Sequence, residues 1–137
     1  MDSVVHFEMP YEDRKRAAKF YEAAFGWQTQ MLGEDMGNYL LATTTETDEK
    51  SPKRPGAING GLFEKKSDWP MQHPSVVIAV SDIKASMQKV RDAGGKALGE
   101  PMEIPGVGQY VSIVDTEGNR VSMLQAIPRN WHAPQSK

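Results

Sequence analysis

The sequence predicts an α+β fold made of two βαβββ modules, and three observations support this prediction. An alternating strand pattern, an amphipathic helix pattern and a run of short strand patterns follow one another twice. Each helix pattern begins at an aspartate that can cap it, first Asp13 and then Asp82. Each helix pattern also stops at a glycine, and when Asp13 is laid on Asp82, Gly26 falls on Gly95.

The two modules are expected to form one domain, because neither half has enough elements to close a core alone. We expect one curved mixed sheet with the helices on its outer face and a concave ligand cavity on the other. The first module covers about residues 3–64, the second about 74–127, and residues 128–137 form a tail.

The first module is predicted to start with the strand Val4–Met9, where apolar and polar residues alternate. A helix from Asp13 to about Phe25 follows, with apolar residues at helical spacing. Three further strands are predicted at Trp27–Leu32, Tyr39–Thr45 and Ala57–Phe63. Asn59 and Gly60 could instead form a hairpin turn, but the flanking runs pair poorly, so a strand is favoured.

The second module repeats this order with the strand Ser75–Val80, whose residues Val76, Ile78 and Val80 share a face, and a helix from Asp82 to about Ala93. The remaining strands are predicted at Lys96–Gly99, Gln109–Val114 and Arg120–Ala126. The proline- and glycine-rich stretch Glu100–Gly108 is predicted to be a loop. Its segment EIPGVG would be either a lid over a cavity or a plain connector.

Composition limits the functional classes. The 137 residues are 39% hydrophobic and 25% charged with a net charge of -2, so binding to nucleic acid or anionic membranes is not expected. The absence of cysteine excludes disulfides, thiolate nucleophiles and cysteine-ligated metal centres. The first residues, MDSVVHFEMP, lack the pattern of a signal peptide, and no apolar run could span a membrane, so a cytoplasmic location is expected.

The first strand places a histidine and a carboxylate on the face opposite Val5, Phe7 and Met9. His6 and Glu8 stand about 6.5–7 Å apart along such a strand, so their side chains could converge on one ion or one water. In a closed cavity, desolvation would raise the pKa of Glu8 towards the range of a general base. The pair therefore suits a metal site, an acid/base pair or a hydrogen-bonded pair that lines a binding pocket.

Four stretches carry a family resemblance: HFEMP to RAAKFYEAAFGW (His6–Trp27), INGGLF (Ile58–Phe63), VSDIKASMQKVRDAGGK (Val80–Lys96) and PGVGQYVSIVDTEGNRVSML (Pro105–Leu124). In these stretches the chain resembles the vicinal oxygen chelate superfamily, which includes glyoxalase I, extradiol dioxygenases and bleomycin-resistance proteins. It looks closest to the glyoxalase-related branch. The resemblance implies a small-molecule ligand and a homodimer, and for the enzymes of the superfamily a divalent metal such as Zn, Ni, Fe or Mn.

The resemblance puts the four metal-ligand positions of the superfamily at His6, Asn59, Ser75 and Ser122. The metal enzymes use His or Gln and Glu there, whereas this chain keeps one histidine. Neutral hydroxyls are poor ligands for zinc, which takes about three protein ligands in catalytic sites. We therefore expect no metal cofactor. The alternative is a rebuilt set of His6, Glu8 and His73, because His73 lies two residues before Ser75 and could share its face.

Other predicted ligand contacts are polar, apolar or aromatic: Asn59, Ser75, Ser122, Val77, Leu124, Trp27 and Tyr110. Trp27, Tyr39 and Tyr110 lie on predicted strands and could form walls for a flat ligand or pack in the core. A pocket is favoured for Tyr110, which follows a glycine-rich segment, and a core or dimer contact is favoured for Trp27.

Two functions from different classes follow. The first is a glyoxalase- or bleomycin-resistance-like protein that binds a small organic molecule without metal, with His6 and Glu8 as polar anchors or as a catalytic acid/base pair. The second is a divalent-metal-dependent lyase or dioxygenase of the glyoxalase I type, and a metal-free lyase or isomerase with Glu8 as its base is a variant of it. An interaction module without a working cavity is a third, weaker class.

Overall fold

The computed structural model describes residues 1–47 and 54–127, so the predicted tail lies outside the described residues. Within them, two α-helices and eight strands follow one another in the predicted order. Their bounds are β1 Val4–Tyr11, α1 Arg14–Phe25, β2 Gln28–Met31, β3 Leu40–Thr43, β4 Gly60–Glu64, β5 Ser75–Ala79, α2 Ile83–Asp92, β6 Lys96–Ile104, β7 Gly108–Val114 and β8 Arg120–Ala126. No helix in these two stretches is long and apolar enough to cross a membrane.

These elements confirm the α+β class and the two βαβββ modules. The chain divides into two compact units, one formed by residues 4–77 and the other by residues 1–3 together with the chain from residue 78 onward. The boundary between the units falls within β5. The assignment of both modules to a single domain stays a prediction.

The strands of the first module are arranged in the order β2-β3-β4-β1. β1 and β4 run parallel, with Glu8 opposite Gly61, whereas β3 is antiparallel to both β2 and β4. Gly60 begins β4 and lies opposite Phe7, so the strand prediction is confirmed over the hairpin alternative. β4 begins three residues later than predicted, because the residues from Ala57 to Asn59 pair with neither neighbour.

Helix α1 has the ends that the sequence predicts. The side chain of Asp13 accepts a hydrogen bond from the backbone N–H of Arg16, which satisfies one of the open donors of the first turn. Gly26 follows the helix with φ of 73°, a left-handed conformation that glycine adopts without steric cost. Its N–H reaches the carbonyl of Glu22 and thereby closes the last turn.

One face of the first sheet packs against α1. The buried members of this core are Tyr11, Ala18, Leu40, Ala42 and Leu62, with Phe7, Met9, Ala17, Tyr21 and Trp27 packed around them. Phe7 and Met9 therefore lie on the core side, as their alternation in β1 predicts. His6 and Glu8 project from the opposite face of the same strand.

The second module repeats this arrangement with the strand order β5-β8-β7-β6. Asp82 caps α2 by accepting a hydrogen bond from the N–H of Ala85. The apolar residues of α2 and of the facing strands form its core: Val80, Ile83, Met87, Val111, Ile113 and Met123, with Ile78, Val90, Ala97 and Val121 around them. The inward face predicted for α2 is thus confirmed.

Strand β6 is longer than the sequence predicts, and the loop prediction for Glu100–Gly108 is wrong. β6 runs to Ile104, and its pairing with β7 shifts register between Leu98 and Met102. A bulge at the end of a sheet accommodates the glycine and proline that indicated a loop. The N–H of Val107 bonds to the carbonyl of Ile104 at 3.0 Å, so the supposed lid segment forms the turn between two paired strands.

Candidate functional site

The first module carries a polar site on the sheet face that points away from α1, here called the helix-free face. Alternation along β1 puts His6 and Glu8 on it, and the parallel register puts Gly61 beside Glu8. Tyr39 immediately precedes β3 and extends its ring over the same face. The described part of the site is therefore built from β1, β4 and the start of β3.

Gly61 makes room for the Tyr39 ring. A Cβ atom at position 61 would lie 2.0 Å from Cε2 and 2.4 Å from the hydroxyl oxygen of Tyr39. Any side chain at this position would overlap the ring, so the ring lies across the strand only because residue 61 is glycine. This close approach carries the Tyr39 hydroxyl to β1.

The Tyr39 hydroxyl links the two polar groups of β1. It donates a hydrogen bond to Oε2 of Glu8 at 3.0 Å, and its oxygen lies 3.1 Å from Nε2 of His6. Glu8 is buried, with 8% of its surface exposed, and His6 is half-buried. The three side chains form one network, whereas β1 alone would offer two separate polar groups.

Two neighbouring side chains, Tyr11 and Arg14, hold the start of β3 in place. The Tyr11 hydroxyl donates to the carbonyl of Asn38 at 2.6 Å, and Asn38 has a positive φ of 57°. Nη1 of Arg14 donates to the carbonyl of Leu32 at 2.7 Å and approaches that of Tyr39 at 3.4 Å. Burial raises the pKa of Tyr11, so its phenol stays protonated and keeps donating at neutral pH. The backbone that carries the Tyr39 ring is thus tied to both β1 and α1.

Burial lowers the pKa of His6, because transfer from water disfavours the imidazolium ion. The imidazole is therefore neutral at pH 7. A neutral imidazole has one N–H donor and one acceptor nitrogen, so it can take part in a directional hydrogen-bond chain with Tyr39.

The alternative metal set of His6, Glu8 and His73 is not brought together. His73 lies on an exposed bend before β5 and not on an extended strand, which removes the basis of that alternative. Pro74 interrupts the extension that the prediction needed. Residues 1–47 and 54–127 contain no group of three or more His, Asp or Glu side chains that could hold a metal ion. These residues do not fit the divalent metal of the superfamily enzymes.

Two residues predicted as ligand contacts have structural roles. Oδ1 of Asn59 accepts hydrogen bonds from the backbone N–H groups of Thr44 and Thr45, at 2.7 and 3.0 Å, and so holds the end of β3. Trp27 stacks on Tyr21, with ring centroids 4.6 Å apart, on the α1 side of the sheet. Trp27 thus packs against the core of the first module, as the favoured alternative has it, and its role as a ligand wall stays a prediction.

The second module has a polar chain of its own on its helix-free face. The hydroxyls of Tyr110 and Ser122 lie 2.7 Å apart, and those of Ser122 and Ser112 lie 3.0 Å apart. Nη2 of Arg120 donates to the Ser112 hydroxyl at 3.3 Å. Leu124 lies opposite Tyr110 in the register and shares this face. Tyr110, Ser122 and Leu124 thus lie together, as predicted.

Ser75 and Val77 alternate in β5 with Ile78 and Val80, which pack against α2. They therefore occupy the helix-free side of β5, and Val77 is 2% exposed. Their roles as ligand contacts stay predictions.

Ser112 is the site residue that the sequence did not indicate, and Tyr39 was considered as an aromatic wall but not as the partner of His6 and Glu8. Tyr39 was placed on a strand, but its contact with Glu8 depends on pairing between three separated strands. The glycine pair at 60 and 61 was the available signal, because glycines inside a strand often mark the close approach of another group. Ser112 could have been found from its expected position opposite Ser122 in a hairpin.

Two surface depressions lie elsewhere in the described structure. The larger one, of about 430 Å³, is lined by Thr44, Thr45, Glu46 and Arg54. The other, of about 390 Å³, is lined by Glu12, Lys65, Lys66, Ser67 and Gln72. Neither includes a member of the His6–Tyr39–Glu8 network, so it is this network and not cavity size that marks the candidate site.

Sequence relatives agree with this fold. A family model described as bleomycin resistance protein-like N-terminal matches residues 3–44. A glyoxylase-like domain-containing protein of Didymella fabae is 32% identical over 115 residues, which cover 82% of this chain and 84% of that protein. CFP32 of Mycobacterium tuberculosis, provisionally named a glyoxylase, is 34% identical over 114 residues, but the match spans only 40% of its length.

Solved structures show the same fold at low identity. Methylmalonyl-CoA epimerase from Mycobacterium tuberculosis matches with a TM-score of 0.64 and 16% identity, over 92% of this chain and 89% of that one. A Streptomyces coelicolor methylmalonyl-CoA epimerase variant in complex with 2-nitronate-propionyl-CoA matches with a TM-score of 0.67 and 16% identity, over 96% and 98%. Together with the glyoxylase-like relative, the repeated βαβββ unit shows that the chain belongs to the vicinal oxygen chelate superfamily, among its glyoxalase-like members.

Proposed function

We propose that the protein binds a small organic molecule on the helix-free face of its first module, without a metal ion. The observation that carries this proposal is the Tyr39 hydroxyl between the carboxylate of Glu8 and the imidazole of His6. The network presents directional hydrogen-bonding groups next to an aromatic ring. Binding sites for small molecules combine a few placed polar groups with apolar and aromatic surface in this way.

The cost of burying the network supports a functional role. Polar groups taken out of water destabilise a fold unless they are bonded, and a carboxylate is the most expensive of them. The first core is formed on the other face of the sheet, so stability does not require a carboxylate at position 8. A ligand-binding role explains why this face carries Glu8, His6 and a tyrosine.

A ligand screen by NMR tests the proposal. The ¹⁵N-labelled protein is mixed with pools of small organic compounds, and the ring signals of His6 and His73 are followed in the same spectra. Binding at the site shifts the His6 signals, while His73, on its exposed bend, serves as the internal control. His6→Ala should abolish the response and His73→Ala should not. If no compound moves His6, or if every compound moves both histidines equally, the proposal fails.

The second module's own polar chain is proposed to supply ligand contacts as well. Tyr110, Ser122 and Leu124 share the helix-free face there. Tyr110→Phe tests this part, because it removes one hydroxyl and leaves the ring. A compound found in the screen should bind about tenfold more weakly to this variant, because one hydrogen bond contributes about that factor to affinity.

A metal-free acid/base reaction is the second candidate function. The observation that favours it is the buried carboxylate of Glu8, which is hydrogen-bonded to a phenol and lies near a neutral imidazole. Such a set could take a proton from a bound substrate. The test is whether a compound that binds exchanges a carbon-bound hydrogen for deuterium in the presence of the protein. Exchange that is lost in Glu8→Gln would establish this function. Binding without exchange would leave the binding function alone.

We also propose a homodimer, as the superfamily resemblance implies. Sedimentation equilibrium at several protein concentrations tests it, and a mass of 15.2 kDa at all concentrations would rule it out.

A further inference from the structure

We propose that Nδ1 of His6 is a hydrogen-bond acceptor that selects ligands with a neutral hydroxyl donor, such as a phenol or an enol. This inference rests on the proposed function and names the chemical class of its ligand. The three side chains of the network carry the argument, and all of them belong to the first compact unit.

The proton of Tyr39 fixes the direction of the network. A phenol has one proton, and Tyr39 donates it to Oε2 of Glu8 at 3.0 Å. When Glu8 is ionised, its carboxylate can only accept, so this bond then has no reverse form. Towards His6, the Tyr39 oxygen can therefore only accept a hydrogen bond, and it lies 3.1 Å from Nε2. Nε2 of His6 must carry a proton.

The second nitrogen of His6 is then an acceptor. Burial lowers the pKa of His6, so the ring holds one proton at neutral pH, and the Tyr39 contact keeps that proton on Nε2. Nδ1 is left with its lone pair. Within residues 1–47 and 54–127, the one hydrogen bond of the His6 ring is the Nε2 contact. Nδ1 is therefore the atom of this network that a ligand can address.

This arrangement discriminates between ligand groups. A hydroxyl places its proton on Nδ1 and completes the chain from ligand to His6, Tyr39 and Glu8 without adding charge. A carboxylate brings a second lone pair to Nδ1, so it could bind there only if His6 took up another proton. Burial of the ring opposes that uptake. An ether offers no donor and leaves Nδ1 unpaired.

Three probes of similar shape test the proposal: phenol, anisole and benzoate at pH 7.5. Long-range ¹H–¹⁵N spectra of the labelled protein first show which His6 nitrogen carries the proton, with His6→Gln used for assignment. We expect the proton on Nε2. Phenol should shift the Nδ1 signal of His6. It should also bind about tenfold more tightly than anisole, because one hydrogen bond contributes about that factor to affinity. Benzoate should leave the His6 signals in place.

A matched pair of variants shows whether Tyr39 sets the preference. Tyr39→Phe removes the acceptor of the Nε2 proton, so the ring should populate both tautomers and the ratio of phenol to anisole affinity should fall. Tyr21→Phe, which changes a tyrosine on the α1 side of the sheet, should keep the wild-type ratio. An unchanged tautomer and an unchanged ratio in Tyr39→Phe would overturn the inference.

Two further results would also overturn it: a proton on Nδ1 of His6 in the wild type, or benzoate or anisole binding as tightly as phenol. Failure of the hydroxyl preference can be told apart from failure of the proposed binding function. If other compounds move His6 but phenol does not, binding stands and the hydroxyl preference is wrong. If nothing moves His6, both are wrong.

Discussion

The residue at position 61 decides where the Tyr39 ring can lie. We expect Gly61→Ala to displace the ring, because the added Cβ would lie 2.0 Å from a ring carbon. Overpacking of this kind costs about 1–3 kcal/mol of unfolding free energy, which urea denaturation measures. The same substitution should cost much less when Tyr39→Ala has already removed the ring. Gly33→Ala is the matched control, because its Cβ would meet only the side chain of Asp35, at 3.1 Å. An equal cost in both Tyr39 backgrounds would contradict this account.

The protonation of His6 links stability to pH. The folded-state pKa of His6 is lowered, so the unfolded chain binds more protons than the folded chain between that pKa and the ordinary value of about 6.5. Unfolding free energy should therefore be unaffected by this group above pH 7 and should fall as pH falls through that window. Denaturation at pH 7.5, 6.0 and 5.0 measures the trend. His6→Gln should flatten it relative to the wild type, and His73→Gln should not.

Alternation in β1 was enough to predict that His6 and Glu8 share a face, because side-chain direction in a strand is a local property. The role of Tyr39 was not predictable in that way. Its hydroxyl reaches β1 only through the parallel register of β1 with β4 and the antiparallel register of β4 with β3. Registers between distant strands are set by the whole sheet, and a single sequence does not display them.

At the scale of the element, the two helices depend on equivalent aspartate caps. Replacing Asp13 by alanine should cost about 1 kcal/mol, because the N–H of Arg16 loses its partner. Asp82→Ala should cost a similar amount for the same reason at Ala85. Asp13→Asn keeps an accepting side-chain oxygen and is the control for each urea titration. A cost as large for asparagine as for alanine would show that capping is not the cause.

Elements with local signals were predicted well, and elements without them were not. The helix ends follow from single capping residues and glycine stops, which act within one turn. β6 shows the opposite case, because its glycine and proline indicate a loop when considered locally. The sheet accommodates both residues through a register shift between Leu98 and Met102. β6 is the last strand in the order, so one of its edges has no neighbouring strand with which it must stay in register.

At the scale of the whole molecule, the internal repeat places comparable chemistry in each module. Both modules direct a tyrosine hydroxyl to a side chain on another strand of the helix-free face, Glu8 in the first and Ser122 in the second. Among the contacts of residues 1–47 and 54–127, the first network combines a carboxylate with an imidazole, whereas the second joins hydroxyls and a guanidinium. The repeat thus keeps the tyrosine contact while the carboxylate and the imidazole lie in the first module, and for this reason we propose ligand recognition by proton position there.

The same asymmetry predicts how the whole protein responds to metal ions. A binding site filled at a hundred times its dissociation constant adds about 2.7 kcal/mol to stability, which is several degrees in melting temperature. Among the described residues no three ligating side chains come together, so zinc, nickel, manganese or iron(II) should leave the melting temperature unchanged, and EDTA should do the same. Scanning calorimetry and metal analysis of untagged protein purified without chelator measure both effects. Near-stoichiometric metal that is lost in His6→Ala and kept in His73→Ala would contradict the metal-free site and favour the metal-dependent enzyme.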